Sequence, residues 1–291
     1  MTDTTVVNGV RLAYDVAGDD DGGRVLLVGG TGMPGALWQL ASAPALVAAG
    51  YRVITYDARG VGGSDAPPAP YSVADLADDA AGLLEHLDAA PAFVVGYSLG
   101  GFTAEDLARR RPDLVRAAVL LACAARPTPW SRRKVAAERD LYAAGPVPPS
   151  HTLAETLAMA LPPAVLRDDD ATVEGWAAFL EAQPPWADPG RIGQFHAAWS
   201  WITADDRTAR LAAVLVPVLV AAFEHDLFFP PRLGREAAAA MADSAFVELG
   251  GAGHGGLFEK AEEFNRAVLD FFARVTSRPT PDSSELRSTG S

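Results

Sequence analysis

Gly96-Tyr97-Ser98-Leu99-Gly100 sets a serine between two glycines, directly after the apolar run AFVV and at the start of GFTAEDLARRR. In a G-x-S-x-G turn from strand to helix, small flanking residues let the backbone bend sharply and the serine hydroxyl projects from the bend. The helix start behind it offers unpaired N–H groups and a positive dipole end to a developing oxyanion. This is the equipment for nucleophilic attack on a carbonyl. A serine hydroxyl is a weak nucleophile near neutral pH, so a base must take its proton and an acid must orient that base.

Five histidines are available as the base. His86 lies in the helical pattern AGLLEHLD and reads as a surface residue, His151 opens the stretch HTLAETL, and His196 in QFHAAWSW reads as packing or pocket lining. His225 sits beside acids in a loop. His254 differs, because Gly250-Gly251-Ala252-Gly253-His254-Gly255-Gly256 follows the strand-like AFVEL, and a glycine loop at a strand end presents an imidazole without bulky neighbours. For the acid, the run PVLVAAF leads into Glu224 and Asp226, whereas the other available strand end, VRAAVLLACAA, carries no carboxylate. On physical grounds alone Glu224 and Asp226 are nearly equal.

A second motif competes for attention. Gly30, Gly32 and Gly35 satisfy G-x-G-x-x-G after RVLLV; a helical pattern follows, then YRVITYD, which ends in an acid at Asp57. Strand, glycines, helix, strand and acid together are similar to the dinucleotide-binding opening of short-chain dehydrogenases. Three features oppose a cofactor there. The only lysines, Lys134 and Lys260, do not follow a tyrosine at the four-residue spacing such enzymes need. Pro34 interrupts the turn where the helix should begin, and a hairpin precedes the supposed first strand. No cofactor is expected, and no histidine or cysteine cluster has metal-ligand spacing, so no metal is expected either.

The elements that must position these groups read as alternating strands and helices. TTVV and VRLAYDV flank Asn8-Gly9, a hairpin signal. RVLLV, a helix near 37–49, YRVITYD, a helix near 73–88, AFVVG, a helix near 100–110 and VRAAVLLA follow. Such alternation predicts a mostly parallel central sheet with helices on both faces, the N-terminal pair extending its edge. Residues 126–212 are rich in proline, hold five of the six tryptophans and contain no convincing strand; they read as a helical lid insertion. PVLVAAF, a helix near 232–241, AFVEL and a helix near 260–274 complete the pattern. The expected division is a core of 1–125 and 213–275, a lid of 126–212 and a disordered tail of 276–291.

Composition narrows the partners. With 291 residues, 49% of them hydrophobic, the chain can bury a large core without disulfide or metal. Its net charge of −13 argues against nucleic acid, where affinity rests on basic residues neutralising phosphate, and against an anionic membrane surface. Cys123 is the sole cysteine and lies in an apolar run, so it reads as a buried small hydrophobe. MTDTTVVNGV lacks the basic and apolar regions of an export signal, which makes a cytoplasmic location the expectation.

Taken together, the motifs resemble the α/β-hydrolase superfamily, in the branch of small esterases, cofactor-free haloperoxidase-like perhydrolases and proline iminopeptidase-like enzymes. The resemblance runs from about residue 8 to 274. It rests on Gly96–Gly100, on Asp57-x-Arg59-Gly60-x-Gly62-x-Ser64, on FEHDLFFPP and on GAGH. It implies the α/β-hydrolase fold and a triad in chain order Ser98, Asp226, His254, the family spacing favouring Asp226 over Glu224. It also implies two oxyanion donors, the backbone N–H groups of Thr31 and Leu99, and it assigns the Asp57 turn to structural support. The family's usual His-Gly is Gly29-Gly30 here, which leaves Gly30 as an alternative to Thr31.

The expected activity is hydrolysis of a carboxylic ester or related acyl compound of small-molecule size. The aromatic residues of the lid suggest an apolar or aromatic moiety, with Trp38, Tyr97, Trp130 and Trp199 as pocket candidates. Acyl transfer through the same acyl-enzyme, peptidase or lyase chemistry on the same scaffold, and a non-catalytic binding protein are the remaining readings. Assembly into homo-oligomers is compatible with the sequence.

Overall fold

A computed structural model describes residues 2–184, 186 and 188–278. Among these, eight strands form one sheet: β1 (Asp3–Val7), β2 (Val10–Ala17), β3 (Arg24–Val28), β4 (Arg52–Tyr56), β5 (Ala92–Tyr97), β6 (Val115–Leu121), β7 (Val218–Phe223) and β8 (Ser244–Leu249). Their order is β1-β2-β4-β3-β5-β6-β7-β8. The pairs β1–β2 and β2–β4 are antiparallel and all others parallel, so the N-terminal hairpin does extend the sheet edge. Asn8 and Gly9 both take positive φ, 50° and 75°, as a two-residue primed turn requires.

Helices α1 (Ala43–Ala48), α2 (Val73–His86) and α3 (Leu99–Arg110) connect the first strands. Between β6 and β7 lie α4 (Pro129–Ala144), α5 (Pro149–Ala160), α6 (Pro163–Asp168), α7 (Asp170–Glu181), α8 (Asp188–Ile202) and α9 (Arg207–Ala212). The C-terminal part adds α10 (Pro231–Ala240), α11 (Gly256–Glu259) and α12 (Ala261–Thr276). Within the β6–β7 insertion Pro129, Pro149 and Pro163 each begin a helix rather than break one, since a missing N–H costs nothing there.

The inner strands are largely apolar because both of their faces are covered. On β3, Val25 and Leu27 enter one core while Leu26 and Val28 enter the other; on β5, Phe93 and Val95 oppose Val94 in the same way. The period of two thus divides each run between two helix layers. The first layer contains residues of α2, α3 and α10, the second residues of α1 and α12.

Two expectations need adjusting. The helix expected near 37–49 is split into a 3-10 helix, Gly35–Leu40, and α1. Pro44 accounts for the break, since it has no N–H to continue the first helix but fits the opening turn of the second. Of the expected tail, 279–291 lies outside the described residues, and Thr276 closes α12.

Candidate active site

The sheet brings three separate chain segments to the same end, the C-terminal ends of β5, β7 and β8, where ligands gather in open α/β sheets. Ser98 follows β5 directly and has φ 55°, ψ −119°, outside the regions comfortable for a residue with a side chain. Its neighbours make the bend possible. A Cβ on Gly96 would lie 2.1 Å from the Gly100 carbonyl oxygen, and one on Gly100 would lie 2.2 Å from that of Val28. Only glycine fits at either position. The bend is held from outside by the Ser98 N–H, which donates to the Leu121 carbonyl at 2.9 Å.

Asp226 stands in the turn after β7 and is 2% exposed. Its Oδ1 accepts the backbone N–H groups of Phe228 and Phe229 at 2.8 and 2.9 Å, which leaves Oδ2 for His254 Nδ1 at 2.7 Å. His254 Nε2 lies 3.0 Å from Ser98 Oγ. A carboxylate fixed by two main-chain donors thus faces one imidazole nitrogen, and the serine hydroxyl faces the other. Chemically, this arrangement can draw the proton from Oγ as the oxygen attacks and hold the imidazolium that results. Glu224 goes elsewhere: half exposed, it accepts the Gly251 N–H at 2.9 Å and braces the start of the histidine loop.

Tyr97 has a role the sequence did not disclose. Its hydroxyl donates to the His254 carbonyl at 2.7 Å, and its ring lies 5.4 Å from the imidazole, so it tethers the histidine loop to the nucleophile strand. Burial, assisted by the nearby Asp226 and Glu259, pushes the phenol well above its ordinary range and keeps it a neutral donor. Burial likewise raises the Cys123 thiol far from a reactive thiolate.

The other pocket candidates separate. Trp38 is 0% exposed and packed in the second core with Val25, Leu27 and Phe93; the 3-10 helix turns it into the sheet, which removes it from the pocket. Trp199 packs against the first core with the Arg139 guanidinium 4.4 Å over its ring, a packing role. Trp130 stays half exposed and stands edge-on to Phe228 at 5.4 Å, and Phe228 and Phe229 lie 6.0 and 5.7 Å from the His254 ring. Sequence reasoning misses these two phenylalanines, although their place in the apolar run Leu227-Phe228-Phe229 after Asp226 is a signal. Leu99, the first residue of α3, is buried behind Ser98.

The glycine loop comes beside the serine: a Cβ on Gly30 would lie 3.3 Å from that of Ser98. The Gly30 carbonyl accepts the Met33 N–H at 3.0 Å, and Gly32 has φ 68° with Thr31 on the ordinary side, the pattern of a type II turn. Among the described residues, no group of three or more His, Cys, Asp or Glu side chains is placed to hold a metal, and no helix is long and apolar enough to cross a membrane.

The family model for the alpha/beta hydrolase fold matches residues 23–261. The chain belongs to the α/β-hydrolase fold family. It is 37% identical over 270 residues to BpoC of Mycobacterium tuberculosis, named as a candidate non-heme bromoperoxidase, covering 91% of this chain and 99% of that one. The crystal structure of BpoC superposes with a TM-score of 0.84 at 36% identity, covering 93% of this chain and 97% of BpoC. RutD of Variovorax paradoxus, named as a candidate carbamate hydrolase, is 34% identical over 278 residues, covering 93% and 99% of the two chains. The enol-lactonase of Burkholderia xenovorans LB400 superposes with a TM-score of 0.79 at 27% identity, covering 93% of this chain and 100% of that one.

In this α/β-hydrolase the Asp57 turn supports the site from behind. Asp57 accepts the N–H groups of Gly35 and Gly63, each at 2.7 Å, and Ser64 Oγ donates to the Asp57 carbonyl while accepting the Ala13 N–H. The far end of the glycine loop is thereby tied to β2 and to the residues following β4. Arg59 pairs bidentately with the buried Asp79 at 2.6 and 2.7 Å, fastening the same turn to α2.

Proposed function

We propose that the protein is a serine hydrolase that cleaves a carboxylic ester or related acyl compound with an apolar or aromatic moiety. The continuous contact from Ser98 Oγ through His254 to Asp226 carries the reading. In the first half-reaction Oγ bonds to the substrate carbonyl carbon as His254 Nε2 takes its proton, and the carbonyl oxygen becomes an oxyanion between the Thr31 and Leu99 N–H groups. Collapse breaks the bond to the alcohol, which leaves with the proton from His254. Water then gives a proton to His254 and its oxygen to the acyl carbon, and collapse releases the acid and restores Ser98.

The aromatic wall of Phe228, Phe229 and Trp130 beside the imidazole supports an apolar group next to the scissile bond. We assign residues 126–212 the part of a lid over this wall. The three relatives are named for different reactions, so the substrate of this chain has to be read from its own pocket. A fluorophosphonate probe should label the wild-type protein at one serine, and acyl esters of graded size should yield free acid in water. Absence of labelling would overturn the reading, as would acyl products formed only with an added alcohol or amine.

The glycine loop gives a separate expectation. Thr31→Pro deletes one proposed donor and should lower kcat roughly 100- to 1,000-fold, the cost of a lost oxyanion donor. The thermal transition separates this from a disturbed turn. Titration with NAD(H) and NADP(H) should give no saturable signal. Micromolar nucleotide affinity, or full turnover in a folded Thr31→Pro variant, would overturn the oxyanion reading.

A further inference from the structure

Gln194 lies in α8, inside the insertion, yet its side chain is 1% exposed and reaches the glycine loop. Its Oε1 accepts the Gly32 N–H at 3.1 Å, and its Nε2 donates to the Arg59 carbonyl at 3.1 Å. One amide therefore bonds both segments of the core that approach each other below the insertion, using one donor and one acceptor in the orientation only glutamine or asparagine supplies.

The Gly32 N–H is a decisive atom of that loop. Types I and II of a β-turn differ by a flip of the central peptide, here the one joining Thr31 to Gly32. In the observed turn Gly32 has positive φ, and its N–H finds its partner on Gln194. The ends of the loop have their own restraints, Met33 N–H on the Gly30 carbonyl and Gly35 N–H on Asp57. The middle is held from the insertion. Trp186 adds a second contact there: its Nε1 donates to the Gly60 carbonyl at 2.7 Å, and its ring covers Gly32 so closely that a Cβ would lie 2.6 Å away.

We infer that Gln194 is a positioning residue for the oxyanion site: by accepting the Gly32 N–H it fixes the Thr31–Gly32 peptide and so anchors Thr31, whose own N–H in the preceding peptide is the proposed donor to the substrate carbonyl. This rests on the hydrolase reading above. The insertion then completes the catalytic machinery as well as covering it, since a glycine loop without the Gln194 bond exchanges between two turn conformations. A donor misplaced by about 1 Å costs on the order of 100-fold in rate.

The test compares Gln194→Met, which keeps the length and loses both hydrogen bonds, with Ser200→Ala. Ser200 is also on α8, and its Oγ accepts the Val73 N–H at 3.1 Å, so this control loosens the same helix from the core without touching the glycine loop. With p-nitrophenyl butyrate, Gln194→Met should lower kcat about 10- to 100-fold with KM nearly unchanged. Affinity for a trifluoromethyl ketone, which forms the tetrahedral adduct, should fall by the same factor, while Ser200→Ala leaves both near wild type. Equal losses in the two variants, or a Gln194→Met protein with wild-type kcat and adduct affinity, would overturn the inference alone. A wild-type protein that neither turns over the ester nor reacts with fluorophosphonate would overturn the hydrolase reading and this inference with it.

Discussion

Ser98→Ala is expected to abolish covalent labelling by fluorophosphonate and to lower ester turnover by roughly 10³-fold or more. The expectation comes from the elbow geometry. The hydroxyl is the atom facing His254 Nε2, and among the described residues no other serine or cysteine stands in that position; Cys123 is buried and directed at the Ser98 and Leu121 carbonyls. Alanine keeps the Cβ and the strained backbone, so the thermal transition should stay close to that of the wild type. The measurement is intact-protein mass after probe treatment, with peptide mapping of the adduct. Labelling that persists in Ser98→Ala would assign the nucleophile to another residue.

Asp226→Asn is expected to lower turnover by roughly 10³- to 10⁴-fold with little effect on folding. The hydrogen bonds give the reason. An asparagine oxygen can still accept the Phe228 and Phe229 N–H groups, so its amide nitrogen would occupy the place of Oδ2 and turn a donor toward His254 Nδ1. That forces the ring proton onto Nε2, where it faces the serine hydroxyl, and the base loses the lone pair it needs. Glu224→Gln keeps an acceptor for the Gly251 N–H and should stay within a few-fold of wild type. A crippled Glu224→Gln beside an active Asp226→Asn would reverse the assignment.

What the sequence discloses and what it hides follow physical lines. The inner strands β3, β5, β6 and β7 are legible because each is a nearly continuous apolar run, and Ser98 and His254 are legible because glycines around them leave a local signature. Asp226 and Glu224 differ only by which carboxylate meets two amides of its own turn and which one reaches Gly251, a matter of side-chain direction. The pocket candidates are harder to sort for the same reason. Trp38 and Trp130 are equivalent as letters, yet the break at Pro44 helps turn one into the core while the other stands beside Phe228. Gln194 left no trace at all, because its partner Gly32 is 162 residues away.

The insertion between β6 and β7 has a cost during synthesis. Ala118 on β6 pairs with Val218 on β7, so about 100 residues must be made before the neighbour of β6 exists, roughly 5–20 s at ordinary translation rates. Throughout that interval one edge of an almost wholly apolar strand has no ladder partner, the kind of edge that recruits other chains. A nascent chain stalled near residue 212 should therefore bind a holdase chaperone or aggregate, and one stalled after the exit of β8 should not. The helices inserted between β6 and β7 thus also set how long the growing polypeptide depends on the cell for protection.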